Sequence, residues 1–179
     1  MEAQDIVHFW FDEIDHELWF KKDDDFDALI KERFESWLLM VIKGELAHWR
    51  ESMIGRLAEV IILDQFSRNI YRNDARAFAQ DPMALALAQE AVFLGLAKQL
   101  DVEKRRFLYM PYMHSESKLI HTHAVSLFEE LDMPETLDYE LRHKHIIDRF
   151  GRYPHRNEIL ARQSTPEELI FLTQPNSGF

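Results

Sequence analysis

The sequence predicts an all-α fold, on three observations. Apolar residues recur at the three- and four-residue spacing of a helix along almost the whole chain. Only 5 Gly and 6 Pro interrupt its 179 residues. No alternating β-branched run and no Asn-Gly hairpin turn appears, so a sheet is not expected.

Ile6, Phe9, Trp10 and Ile14 line one face of an opening helix. Phe26, Ile30, Phe34, Trp37, Leu38 and Val41 line a second, with Asp23, Asp24 and Asp25 to cap its start and Gly44 to stop it. A third runs from about Met53 to Ser67. Its Leu57, Ala58, Val60, Ile61, Ile62 and Leu63 leave Glu59 as the clearly polar face, so this helix should be central and buried. Pro82 suits the first turn of the next helix, through Leu85, Leu87, Val92 and Leu96, with Asp81 as its cap and Gly95 weakening its end. Further helical patterns occupy 102–110, 115–131 and 134–150. Pro111 should break or begin a helix, and Ser115 should cap the next with Glu116 in its first turn. Gly151 should end the 134–150 helix in the left-handed conformation. A last helix starts at Thr165 and Pro166, a good cap and first-turn pair, and runs to Leu172.

No repeat with a period of about 20–50 residues is evident, and no Gly/Ser- or Pro-rich linker divides the chain. A single all-helical domain over residues 1–179 is expected, with a loose tail at about 174–179.

With 32 acidic against 21 basic residues the net charge is −11, which disfavours attraction to nucleic acid or an anionic membrane. The absence of Cys excludes disulfides, thiolate metal ligands and a cysteine nucleophile, and fits a reducing compartment. The longest apolar runs, Trp37 to Ile42 and Met83 to Ala88, have six residues each, against about eighteen for a membrane span. The start of the chain lacks the basic and apolar regions of a signal peptide, so a cytoplasmic location is expected. There is no GxGxxG, Walker loop, GxSxG or EF-hand pattern; neither a cofactor nor a metal is expected.

Three constellations are candidates for chemistry. In the first, Asp64 shares the inward face of Leu57 and Ile61, and a carboxylate there needs a partner. Arg68, one turn later, is the nearest; the two form a structural ion pair or line a ligand pocket. In the second, His114, Ser115 and Glu116 follow Pro111 near a helix start whose amides favour anions, although plain capping explains them too. The third is the stretch 142–162, which carries a charge of +4 against −15 for the remainder of the chain. On a helix His145 and Arg149 lie one turn apart, beside Ile146, Ile147 and Phe150, and should border the core. After Gly151, residues Arg152 to Asn157 form a tight polar turn. Arg suits two-pronged recognition of phosphate or carboxylate, and a neighbouring His moves a proton near neutral pH. Internal pairing of these arginines with Asp64, Glu116 or Asp148 is the competing reading. His121-x-His123 and His143-x-His145 are not read as chelates, because residues two apart point to nearly opposite sides of a helix.

The string Ile62-Leu63-Asp64-Gln65-Phe66-Ser67-Arg68-Asn69-Ile70-Tyr71-Arg72, then Ala75 to Asp81, resembles the bacterial family called domain of unknown function 924. The likeness extends through Phe107 to Glu116 and His145 to Asn157, and Phe9-Trp10-Phe11 and Trp19-Phe20 also fit. It implies an all-helical, tetratricopeptide-like α-α superhelix in one domain, without a settled activity. The chain departs from the family's pattern at Ser67, where Pro is expected, at His121, where Gln is expected, and at Ala161, where Gly is expected.

The function expected from these residues is recognition of a small anionic ligand, a phosphate or carboxylate, with hydrolase- or transferase-like acid/base chemistry. His155, His145 and His114 are the candidate acid/base groups; Asp64, Arg68, Glu116, Arg149, Arg152, Arg156 and Asn157 are the candidate ligand-binding ones. The alternative is a non-enzymatic tetratricopeptide-like scaffold for a protein or peptide, with anchors around Trp10, Trp19 and Trp49 and its charged motifs serving as ion pairs.

Overall fold

A computed structural model of the chain describes residues 2–175, 177 and 178. Among the described residues every regular element is helical and there is no strand, as the apolar spacing predicts. The chain divides into two compact units, Met1–Arg72 with Arg76–Pro111, and Asn73–Ala75 with Tyr112–Phe179.

The first unit opens with α1 (Ala3–His8), which passes into a π-helical turn over Phe9–Glu13. α2 (Asp24–Ile42) starts where the Asp23 carboxylate accepts the Phe26 N–H at 3.0 Å, and Gly44 follows its end with φ of 73°. Both terminals are those the carboxylate run and the glycine predict. α3 (Met53–Ile61) is capped by the Ser52 hydroxyl and continues through a second π turn, Ile62–Phe66, into α4 (Ser67–Ile70). All five residues of that π turn are buried, Asp64 and Gln65 included, as expected for a helix surrounded by core. α5 (Asp81–Phe93) and α6 (Val102–Met113) follow.

An aromatic cluster fills the centre of this unit. Phe9, Phe34 and Phe66 approach with ring centroids 4.7 and 4.8 Å apart along the chain of contacts, and Trp19 meets Phe107 edge-on at 4.8 Å. Such pairs contribute about 0.5–1.5 kcal/mol each beyond the area they bury. Trp10, Trp19 and Trp49 are 1%, 9% and 5% exposed, so these tryptophans are core residues and not the groove anchors the scaffold reading assigned them. Glu59 is fully buried as well. The Arg50 guanidinium donates two hydrogen bonds to it, at 2.7 and 3.0 Å, the fork that a buried carboxylate requires.

Two starts and one break differ from expectation. Asp81 is the first residue of α5 and not its cap; its carboxylate faces Arg68 at 3.0 Å instead. α6 runs through Pro111 to Met113, because Met110 to Met113 are all buried and packing outweighs the one lost helical hydrogen bond.

The second unit contains α7 (Lys118–Glu129) and α8 (Pro134–Phe150), which pack against each other. α7 is capped by the Ser117 hydroxyl and not by Ser115, whose carbonyl is taken by His121. α8 has the expected limits, and Gly151 follows it with φ of 72°, its N–H bonded to the Ile147 carbonyl at 2.8 Å. A short turn over Pro154–Arg156 leads to α9 (Pro166–Leu172). Thr165 and Glu168 cap each other there, at 3.2 and 2.8 Å. Ile146, Ile147, Tyr153 and Phe171 form the core of this unit, with Phe150 against them. The tail expected at about 174–179 falls in part on residues 176 and 179, outside the described residues. Among the described residues no helix is long and apolar enough to cross a membrane.

Two backbone positions give tests. A Cβ on Gly55 would lie 1.9 Å from the Trp49 carbonyl oxygen, so Gly55→Ala forces backbone apart and should cost about 1–3 kcal/mol in urea unfolding. Ala161 is left-handed, with φ of 51°, at a position where glycine carries no Cβ penalty. Ala161→Gly should therefore raise stability by about 0.5–1 kcal/mol; a loss of stability would show that the left-handed turn carries no strain.

Candidate functional site

The sequence-predicted residues divide between the two units. Asp64 and Arg68 lie in the first. Asp64 is fully buried in the π turn, where Arg68 donates to its carboxylate at 3.2 Å and to its carbonyl at 2.6 Å, and Gln65 donates at 2.6 Å. The same guanidinium reaches Asp81. π turns are common at functional positions, but here a guanidinium bridging two carboxylates is itself a complete ion-pair arrangement.

The remaining candidates lie in the second unit, and its helix phase sorts them. α8 buries Thr136, Glu140, His143, Ile146 and Ile147, a stripe at three- and four-residue spacing. His145 and Arg149 are on the exposed face with Arg142, not beside the core as expected. The inward histidine of the His143-x-His145 pair is therefore His143; likewise His121 is buried and His123 exposed, so neither pair chelates.

The outer arginines close on carboxylates. Arg149 pairs with Glu167 at 2.8 Å and lies over the Phe150 ring. Arg152 grips Glu168 with two hydrogen bonds, at 2.7 and 2.8 Å, and also donates to the Gln163 carbonyl. Asn157 is buried and donates to Ser164 and Glu168 while its carbonyl oxygen accepts from Arg162. Arg162, which the sequence reading overlooked, pairs with Glu116 at 2.6 and 2.9 Å. Glu116 also accepts the Tyr153 N–H at 2.7 Å. Burial pushes the Glu116 carboxyl up, but the Arg162 and Tyr153 hydrogen bonds outweigh it and hold it below the ordinary carboxylate range. The Arg152 fork, opposed by burial and aided by the Thr165 amide, holds Glu168 at about 2.

Inside this frame a second group gathers around the phenol of Tyr153, which is fully buried. The guanidinium of Arg156, itself 6% exposed, lies 4.6 Å from the centre of the Tyr153 ring and donates to the His114 carbonyl. The rings of His155, His143 and His121 stand 5.5, 5.7 and 6.4 Å from that of Tyr153, and His114 lies 6.4 Å from His143. His114 and His155 are half-buried and form the solvent edge of the group.

Its hydrogen bonds fix tautomers. The Tyr153 hydroxyl donates to the Met113 carbonyl at 2.6 Å, so its oxygen is an acceptor toward His121 Nε2 at 3.1 Å. The Ser115 carbonyl, at 2.8 Å, is a second acceptor at the same nitrogen. Nε2 of His121 therefore carries hydrogen, and Nδ1 shares a proton with Glu140 across 2.7 Å. Burial pushes the Glu140 carboxyl up against the opposing effect of His121, and its Oε2 has no hydrogen-bond partner among the described residues. His143 Nδ1 faces the Tyr139 carbonyl at 2.7 Å and so bears the hydrogen, which leaves Nε2 as the basic nitrogen. Burial, opposed by the hydrogen bond to the Tyr139 carbonyl and aided by the nearby charges of His114, His121 and Arg156, pushes His143 well below its ordinary value.

His121, Glu140, His143 and Tyr153 were not among the expected site residues. The 136–140–143–147 spacing carries the signal for two of them, since polar side chains there fall on the stripe that Ile147 shares. Among the described residues no group of three or more His, Asp or Glu is arranged to hold a metal ion.

The chain matches, over residues 6–176, the family described as bacterial protein of unknown function, DUF924. It is also similar to the solved structure of a protein of unknown function from Agrobacterium tumefaciens, at 38% identity over 95% of this chain and 96% of that one, with a TM-score of 0.90. No curated protein matches it.

The Arg152–Glu168 pair makes stability depend on acid. Glu168 titrates at about 2 in the fold and near its ordinary 4.5 when unfolded, so its contribution is complete above about 4.5 and is lost as pH falls from there toward 2. Urea unfolding across that range should show a slope for the wild type that is reduced in Glu168→Gln. An identical slope in the variant would mean that other carboxyls account for the acid sensitivity.

Proposed function

The chain belongs to the bacterial family of unknown function DUF924, and on that premise we propose that its second unit binds a small oxyanion, a phosphate or carboxylate, beside Tyr153. Arg156 supplies the charge, and the imidazoles of His114 and His155 at the solvent edge move a proton to or from the bound molecule, as a hydrolase or transferase acting in the cytoplasm requires. The observation that carries this reading is the gathering of one buried guanidinium and three imidazoles about a single buried phenol, with a fourth imidazole, His114, beside His143. Groups that carry or accept positive charge, held in a low-dielectric interior, favour an anion among them. In this reading Glu116, Arg152 and Asn157 frame the site and Arg149 lies outside it. Asp64 and Arg68 belong to a separate paired group in the first unit.

A second reading has its own observation. Arg149, Arg152 and Arg162 each close on a carboxylate of the same unit, as expected if the charged motifs only hold together a tetratricopeptide-like scaffold for a protein or peptide partner.

Thermal shifts with inorganic phosphate, sulfate and small carboxylates separate the two. A ligand at a hundred times its dissociation constant adds about 2.7 kcal/mol of stability. The oxyanion reading predicts stabilisation that is lost in Arg156→Lys, because an ammonium does not reproduce a guanidinium fork, and kept in Arg149→Ala. A flat panel on the wild type, or stabilisation lost equally in Arg149→Ala, favours the scaffold.

A further inference from the structure

His121 on α7 and Glu140 on α8 join the two helices, and neither side chain meets solvent. The ring has an oxygen at each end. Glu140 Oε1 lies 2.7 Å from Nδ1, and the Ser115 carbonyl lies 2.8 Å from Nε2, with the Tyr153 hydroxyl oxygen at 3.1 Å. A carbonyl only accepts, so Nε2 keeps its hydrogen. The short contact at Nδ1 needs one further proton, on the nitrogen or on the carboxyl, because a bare nitrogen against a bare carboxylate sets two acceptors face to face. Without that proton the Glu140 charge is buried with no donor, since its Oε2 has no partner among the described residues. With yet another, the ring is a buried cation with no anion against it. The titratable and charged groups about the pair are Lys118 on α7, His143, Lys144 and Asp148 on α8, His114 after α6, and Tyr153 and Arg156 in the turn.

We propose that this pair is a one-proton latch of the second unit. Folded, it keeps one proton between Nδ1 and Oε1 on both sides of neutral pH. Alkali takes that proton to hydroxide and releases α7 from α8, together with the Ser115 carbonyl and the Tyr153 hydroxyl. The latch goes beyond the oxyanion reading and does not depend on it. Burial pushes the Glu140 carboxyl up against the opposing effect of His121, in keeping with a pair that titrates as one unit and holds its proton. The sign follows from counting protons. In the unfolded chain the carboxyl titrates near 4.5 and an imidazole near about 6.5. The two groups then hold two protons below the first value, one between the values and none above the second, whereas the folded pair holds one throughout. Folding therefore takes up one proton above about 6.5, and the second unit loses stability as pH rises from there. His143, kept neutral by burial in the fold, gains a proton on unfolding only below about 6.5 and adds no slope above it.

Urea unfolding between pH 7 and pH 9, followed through the backbone amide signals of α7 and α8, tests this. The unfolding constant of the wild type should rise about tenfold per pH unit. In Glu140→Gln the amide donates to a bare Nδ1, so the same contacts close without the shared proton, and the constant should stay level. A level wild type, or an equal rise in both proteins, overturns the inference. Should Glu140→Gln not fold, nitrogen and carbon NMR of the wild type at pH 8 counts the proton directly. His121 protonated on both nitrogens, or a bare Nδ1 facing a protonated Glu140 carboxyl, is the expected result. A bare Nδ1 facing an ionised carboxylate overturns the latch, and leaves the oxyanion reading intact.

Discussion

The second unit depends on the carboxylate of Glu116. One of its oxygens accepts the Tyr153 N–H, and both take the guanidinium of Arg162. That guanidinium in turn donates to the Tyr153 carbonyl at 3.1 Å, so the peptide groups on either side of Tyr153 are held by one ion pair. A loop residue would not otherwise sit in a hydrophobic core, because its backbone polar groups would be stranded there. Satisfied in this way, Tyr153 packs with Ile146, Ile147 and Phe171, and its hydroxyl reaches the Met113 carbonyl and His121. Arg156, bonded through its own amide to the Tyr153 carbonyl, is carried with it.

The basic stretch near the end of an acidic chain thus has two layers. Its outer arginines, Arg149, Arg152 and Arg162, meet Glu167, Glu168 and Glu116 and account for much of the local positive charge as framework. Its inner members, His143, Tyr153, His155 and Arg156, face one another with His114 and His121. The first unit follows the same rule: Arg50 meets the buried Glu59, Arg68 meets Asp64 and Asp81, and Arg72 pairs with Asp27. In that unit the buried carboxylates of Glu59 and Asp64 each meet a guanidinium, as the cost of an uncompensated buried charge demands.

Helices bounded by short-range chemistry were legible in the sequence. Asp23 before α2, Pro134 and Gly151 around α8, and the Thr165 cap with Pro166 before α9 act within four residues of themselves. Even the expected glycine at Ala161 marks a residue that is left-handed here. Errors arose where distant packing decides. α6 continues through Pro111 because its last turn is buried, and Ser117 caps α7 because the Ser115 carbonyl is spent on His121. The two π turns leave no mark in a 3.6-residue pattern, since their wider turns are an accommodation to packing. On α8 the apolar residues Ile146 and Ile147 fix the inward direction only if Glu140 and His143 are accepted on the same stripe. Placing His145 and Arg149 beside Ile146, Ile147 and Phe150, without Glu140 and His143 on that stripe, turned the helix the wrong way. The segments that come together around Tyr153 were thus among those the sequence singles out, while which histidine of α8 turns inward depended on partners from other elements.

A crystal of the protein soaked in phosphate tests the central claim most directly, by locating the anion. The account predicts a phosphate in hydrogen-bond contact with Arg156 beside Tyr153, the Glu116–Arg162 and Arg152–Glu168 pairs remaining closed. Phosphate found instead on Arg149 and other exposed cations, with nothing beside Tyr153, would contradict it.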